Sequence, residues 1–234
     1  MSEKDFDCES CSKYLNNLFS KLNGDPLDKL KSNKSTQDYK KGHILFAEGS
    51  EAHSVFCIRS GLVKLIKKGR NNEEIVLKLL KSGDVIGQRA IIANEQYAVT
   101  AIVLQYSYIC TIDKSDFLEI IKDAPGINQN IMKDFAKDNR ISKEKLLSRS
   151  QESVRQRTAR LLLELNIMSG GNTDNGVKLN IPVLKSEMAQ MIGTTPETFS
   201  RSLSYFATRG LIKLSRKEIT VLQPSAMKLM IKQY

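Results

Sequence analysis

The sequence predicts an α+β chain in which an antiparallel β-roll leads into a long helix and then a small unit of helices closed by a hairpin. Three observations predict it. Short β-rich apolar runs separated by glycine turns fill residues 39–113, a polar stretch with a thin apolar stripe fills 127–150, and helical patterns followed by two alternating runs fill 153–222.

The 234 residues suffice for one large or two modest domains, and 41% hydrophobic with 26% charged residues describes an ordinary globular chain. No apolar run approaches the roughly 18–20 residues of a membrane span. The N-terminus, MSEKDFDCES, lacks the order of a secretory signal, so a cytoplasmic protein is expected. The net charge of +10 is unevenly placed: residues 151–234 carry 12 Lys+Arg against 6 Asp+Glu, and residues 1–150 carry 24 against 20. A basic C-terminal third suits contact with phosphates. Four cysteines in a cytoplasmic chain argue against a structural disulfide framework. Cys8 and Cys11 form a C-x-x-C pair, while Cys57 and Cys110 stand apart.

Four regions are expected. Residues 1–24 form a cysteine-bearing extension, with Tyr14, Leu15, Leu18, Phe19 and Leu22 at helical spacing before the break at Gly24-Asp25-Pro26. Residues 25–124 form the roll, with strands at Ile44–Phe46, Val55–Ile58, Leu62–Ile66, Ile75–Leu80 and Ala98–Ile112. Turns are expected at Glu48-Gly49-Ser50, Ser60-Gly61, Lys68-Gly69-Arg70 and Ser82-Gly83-Asp84. Residues 125–150 form a long helix whose stripe of Ile127, Ile131, Phe135 and Ile141 suits a helix–helix seam; the alternative is a helix lying on its own roll. Residues 151–234 hold a helix from Ser153 to Met168, a strand at Val177–Ile181, and the segment Lys185–Ser204.

That last segment, KSEMAQMIGTTPETFSRSLS, reads as a helix-turn-helix. Ala189 supplies the small residue where two helices touch and Gly193 the flexible turn, while Met188, Ile192, Phe199 and Leu203 supply the apolar contacts. Thr195 can cap the second helix, and Pro196 fits its first turn. Phe199, Leu203 and Phe206 share one face; Glu197, Thr198, Ser200 and Arg201 occupy the other. Arg can bond bidentately to guanine, Glu can accept from the cytosine amino group, and Ser or Thr can adapt to either. Two alternating runs follow, Gly210–Leu214 and Glu218–Leu222, around Ser215-Arg216-Lys217, a wing whose basic tip suits phosphate. Arg216 and Lys217 are the expected phosphate contacts, and Glu197, Ser200, Arg201, Thr195, Thr198 and Lys185 the remaining contacts of a double-stranded DNA reader.

From about residue 27 to 224 the chain resembles the Crp/Fnr family of bacterial regulators, through KGHILFAEGS (Lys41–Ser50), IRSGLVKLI (Ile58–Ile66), SGDVIG (Ser82–Gly87) and the helix-turn-helix. The resemblance implies a cyclic-nucleotide-binding-like β-roll sensor, a dimerisation helix and a winged helix-turn-helix. It also implies a homodimer, an activator role, and RNA polymerase as a partner. PETFSR (Pro196–Arg201) is similar to the Fnr-type E-x-x-S-R pattern and places Glu197, Ser200 and Arg201 on its base-contacting positions. The implied target is a palindrome like TTGAT-N4-ATCAA.

The family's cyclic-nucleotide binders carry a G-E-x pattern and a later Arg-Ser/Thr; here Gly87-Gln88-Arg89 and Ala98-Val99 stand instead, which counts against cyclic AMP as effector. Cys110, in SYIC (Ser107–Cys110), is similar to the central cysteine that ligates an iron–sulfur cluster in Fnr, and Cys8 and Cys11 resemble part of its N-terminal group. A [4Fe–4S] cluster takes four thiolates, and no third N-terminal cysteine follows Cys11; Asp7 is one substitute, while Cys57 reads as a core residue. Three uses stay open: a cluster at Cys8, Cys11 and Cys110, a disulfide between Cys110 and Cys8 or Cys11, or no role in sensing. Neither His43 nor His53 makes a haem-ligand pattern. No phosphate loop or paired carboxylates suggest an enzyme. The reading from another class is a sensor module acting through protein contacts without DNA.

Overall fold

A computed structural model describes residues 18–19, 22–69, 73–215 and 218–231. Contacts divide the chain into two compact units, up to Arg140 and from Ile141 onward, so the dividing point lies inside the long helix.

The first unit opens with α1 (Asp25–Asn33), which carries Pro26 in its first turn, where a missing N–H costs nothing. Strands β1 (Ser35–Tyr39), β2 (Ile44–Phe46), β3 (Ser54–Lys68), β4 (Glu74–Lys81), β5 (Val85–Ile86) and β6 (Thr100–Asp113) form one antiparallel sheet. Its order is β1-β6-β3-β4, with β2 paired to β6 and β5 to β3. A short helix α2 (Gln88–Ala93) precedes β6, and α3 (Lys114–Asp123) follows it. Val55, Ile58, Val63, Ile109, Ile112, Phe117 and Ile120 form the centre of the core, joined from the N-terminal side by Leu18, Phe19 and Leu22.

One expected turn is not a turn. Ser60-Gly61 lies inside β3, a single strand of 15 residues, and marks an irregularity in its pairing with β6. Gly61 has φ +101°, and a Cβ there would stand 1.9 Å from Ser107 Oγ. That hydroxyl accepts from Leu62 N–H at 3.2 Å and donates to the Gln105 carbonyl at 2.7 Å, so the buried Ser107 occupies the space glycine leaves. A bulge and a turn use the same residue type, which is why the sequence does not separate them.

The long helix α4 (Pro125–Gln151) also departs from expectation in part. Ile127 and Ile131 are buried in the roll's own core and Phe135 packs against it, so these stripe residues serve the intrachain contact and not a seam. The large apolar side chains left in water on α4 are Met132, Leu146 and Leu147, at 62%, 70% and 55% exposure.

The second unit contains α5 (Val154–Met168), α6 (Lys185–Met191), α7 (Pro196–Thr208), the hairpin β7 (Ile212–Leu214) and β8 (Ile219–Val221), and α8 (Pro224–Ile231). Ser153 begins α5 with a capping box, its hydroxyl accepting from Gln156 N–H while the Gln156 side chain accepts from Ser153 N–H. The strand expected at Val177–Ile181 is reduced to one bridge, Lys178 to Thr220, flanked by bonds from Val221 N–H to Val177 O and from Leu179 N–H to Ile219 O. Asn166, fully buried near the end of α5, donates to the carbonyls of Asn172 and Asn175 and accepts from Val177 N–H at 2.9 Å, ordering the loop before that bridge.

Candidate nucleic-acid interface

The expected helix-turn-helix is the pair α6–α7. Its contact is made by side chains withdrawn from water: Met188, Ala189, Phe199, Leu203 and Phe206 are buried. Ala189 is completely so, as close helix approach requires. Gly193 turns the chain at φ +66°, in the left-handed region that glycine enters without a Cβ penalty. Thr195 Oγ1 accepts from Thr198 N–H at 3.3 Å and caps α7, and Pro196 follows it in the first turn.

On the outer face Glu197, Ser200 and Arg201 are exposed. Among the described residues their side chains make no hydrogen bond or ion pair within the chain. Glu197 and Arg201, one turn apart, therefore leave their polar ends available to a ligand. Thr198 is half-buried; its hydroxyl is engaged by Thr195 Oγ1 at 3.0 Å and its carbonyl by Ser202 Oγ at 3.1 Å. Thr195 and Thr198 thus shape the start of α7, whatever else they touch. Lys185 is exposed at the first position of α6. The β7–β8 hairpin is closed by Ser215 N–H donating to Glu218 O at 2.9 Å. Its expected phosphate contacts, Arg216 and Lys217, lie outside the described residues.

Two supports of this face are not apparent from the motif. Arg157, on α5, donates from Nε to the Ile192 carbonyl at 2.9 Å, and from Nη1 to the carbonyls of Glu152 at 2.7 Å and Arg149 at 3.3 Å. One rigid guanidinium thereby ties the turn of the helix-turn-helix to the junction between α4 and α5. Nothing in the sequence sets Arg157 apart from Arg155 and Arg160 on the same helix. Beside it, Glu152 pairs with Arg160 and accepts from Ser148 Oγ at 2.5 Å. Burial works to raise its carboxyl, but the Arg160 guanidinium and the Ser148 hydroxyl outweigh it and the net shift is downward. The second support is Tyr205, whose ring lies 4.1 Å from the Arg155 guanidinium and 3.8 Å from that of Arg209.

In the first unit, Cys110 is buried on β6 and its Sγ lies 3.4 Å from Thr36 Oγ1. Cys57 is buried in the roll's core, as its alternating strand predicts, and it stands directly opposite Cys110 in the β3–β6 register, a pairing that its position in the sequence does not reveal. Cys8 and Cys11 lie outside the described residues. The described donors do not by themselves fit a [4Fe–4S] cluster: they offer two thiols on adjacent strands, and no group of three or more His, Cys, Asp or Glu gathers among the described residues. Where the family's nucleotide binders place their signature, Gly87 approaches the Ser54 carbonyl, which a Cβ would meet at 2.7 Å. Arg89 is exposed and engaged by Glu95 at 3.0 Å.

Comparison with known proteins gives this geometry a context. A cyclic nucleotide-binding domain model matches residues 36–124, and a Crp-like helix-turn-helix domain model matches residues 156–230. The chain is 26% identical over 216 residues to the transcriptional activator protein FnrA of Stutzerimonas stutzeri, covering 92% of this chain and 88% of that one. It is 26% identical over 184 residues to a CRP-like cAMP-activated global transcriptional regulator of Mycobacterium tuberculosis, covering 79% and 82%. In fold it is similar to FixK2 from Bradyrhizobium japonicum, with a TM-score of 0.73 at 17% identity over 84% of this chain and 96% of that one. With both domain models in chain order and relatives aligned along most of its length, the chain belongs to the Crp/Fnr family of DNA-binding transcription regulators, which are not enzymes.

Proposed function

We propose that the chain works as a homodimer that reads a two-fold-symmetric duplex like TTGAT-N4-ATCAA and activates transcription in contact with RNA polymerase. The observation that carries the reading is the outer face of α7, where Glu197, Ser200 and Arg201 are exposed and uncommitted on a helix held rigidly by its cap and buried face. Two such helices, one DNA turn apart, match a palindrome. Leu146 and Leu147, exposed on α4, supply apolar surface suited to a partner helix. No helix among the described residues is long and apolar enough to cross a membrane, in keeping with a cytoplasmic site of action.

Fluorescence anisotropy on the palindromic duplex tests this reading. Two chains should bind per duplex, and scrambling one half-site should weaken binding by at least tenfold at fixed salt. Equal affinity for intact and scrambled duplexes would reject it.

The input is proposed to be oxygen or redox state acting through Cys110 with Cys8 and Cys11, either as cluster ligands or as disulfide partners. An iron count and visible spectrum on anaerobically purified protein separate these two: stoichiometric iron supports the cluster, and iron-free protein with a mapped disulfide supports the thiols.

A further inference from the structure

We infer that Cys57 and Cys110 form a cross-strand dithiol that closes to a reversible disulfide, a modification site that needs neither Cys8 nor Cys11. The inference rests on the redox reading of Cys110 and supplies a different partner for it.

The register carries the argument. On the antiparallel pair β3–β6, Cys57 lies opposite Cys110, between the pairs Phe56–Thr111 and Ile58–Ile109. Residues directly opposite across two strands point to the same face of the sheet, with Cβ atoms about 4.5–5.5 Å apart. A disulfide needs roughly 3.5–4.5 Å between Cβ atoms, so the strands must pinch slightly to close it. A bond made that way is strained and readily reduced, as a reversible device requires and a structural bridge avoids. Both side chains are more than nine-tenths buried, so a small reagent in solution reaches neither without local opening.

Access is supplied by the sheet edge. Thr36, opposite Cys110 on the other side, belongs to β1, a five-residue edge strand exposed along most of its length. Local opening of such a strand is the low-cost fluctuation of a sheet and uncovers Cys110.

The chemistry balances with a low-molecular-weight disulfide as oxidant. The Cys110 thiolate attacks one sulfur of the oxidant and expels a thiolate, giving a mixed disulfide. The Cys57 thiolate then attacks the Cys110 sulfur and expels the second thiolate. Two protein thiols and one small disulfide become one protein disulfide and two small thiols, with no net change in protons or electrons.

The test uses the full chain, wild type and the Cys8→Ser/Cys11→Ser double variant, incubated with oxidised glutathione, alkylated without reduction and mapped by mass spectrometry. A peptide pair linking Cys57 to Cys110 is expected in both proteins. It should vanish on treatment with dithiothreitol and be absent from Cys57→Val, in which Cys110 should stop at the glutathione adduct, which dithiothreitol also releases. Circular dichroism on Cys57→Val checks that it folds, and Cys57→Ala replaces it if it does not. Cys110 linked to Cys8 or Cys11 would overturn this inference and leave the redox reading of Cys110 intact. Cys110 recovered as a free thiol, or only as a glutathione adduct, in folded wild-type protein would overturn the inference. A free thiol in every arm would sink the disulfide form of the redox reading as well.

Discussion

Arg157 shows how much of this interface is held by one side chain behind it. Its guanidinium satisfies three carbonyls that are otherwise left at the α4–α5 junction and at the turn of the helix-turn-helix. A hydrogen bond to a charged group contributes about 1.5–3 kcal/mol net, and Arg157→Met removes several at once. The expected outcome is a destabilisation of about 3 kcal/mol in urea unfolding, larger than that of Arg155→Met on the same helix. Arg157→Lys keeps the charge but lacks the planar fork, and should recover only part of the loss. Gly61 is the corresponding point in the roll: Gly61→Ala places a methyl group against Ser107 at a φ that alanine disfavours. It should cost about 2–4 kcal/mol, from strain plus overpacking. Glu152 adds a pH dependence. Its folded carboxyl titrates below the ordinary value of 4.5, so its contribution is present above that pH and is lost as pH falls through the lower folded value. The fall in urea midpoint from pH 7 toward pH 3 should therefore be shallower in Glu152→Gln than in the wild type.

At the scale of elements, α7 is specified almost entirely by local chemistry, and that is why it was legible. The Thr195 cap, Pro196 in the first turn, Gly193 before it and the apolar spacing of Phe199, Leu203 and Phe206 all agree with the structure. So does α5, where Ser153 and Gln156 make the expected start reciprocal. Ser153→Ala should lower stability by about 1 kcal/mol, read as a shift of the denaturation midpoint. What was not legible depends on chain segments far apart. Gly61 reads as a turn until Ser107, on another strand, fills the space beside it. Cys57 reads as a core residue, and is one, but only the register sets it opposite Cys110. The run from Val177 to Ile181 alternates like a strand, but only Lys178 bridges to β8, and the loop before it is ordered by Asn166, a residue of α5. Arg157 carries no local sign of its partners at all.

Across the whole chain, the apolar side chains of α4 have two uses, and the exposed pair lies outside the stripe that the sequence predicts. Ile127 and Ile131 complete the roll's core, whereas Leu146 and Leu147 remain in water. If those leucines form the proposed dimer seam, Leu146→Asp with Leu147→Asp should shift the chain toward monomer in analytical ultracentrifugation while leaving its circular dichroism spectrum unchanged. A dimer as tight as wild type would place the seam elsewhere. Two independent domain models and the uncommitted face of α7 make DNA reading the central claim. The most direct test is the ratio of specific to non-specific affinity for wild type and Arg201→Ala, on palindromic and scrambled duplexes across a salt series. A lost bidentate contact costs about 1–3 kcal/mol of discrimination per half-site, so the ratio should fall by one order of magnitude or more. Binding to scrambled duplex, which is set by phosphates, should keep nearly the same affinity and salt slope. An undiminished ratio in Arg201→Ala would contradict the assignment of α7 as the reader of sequence.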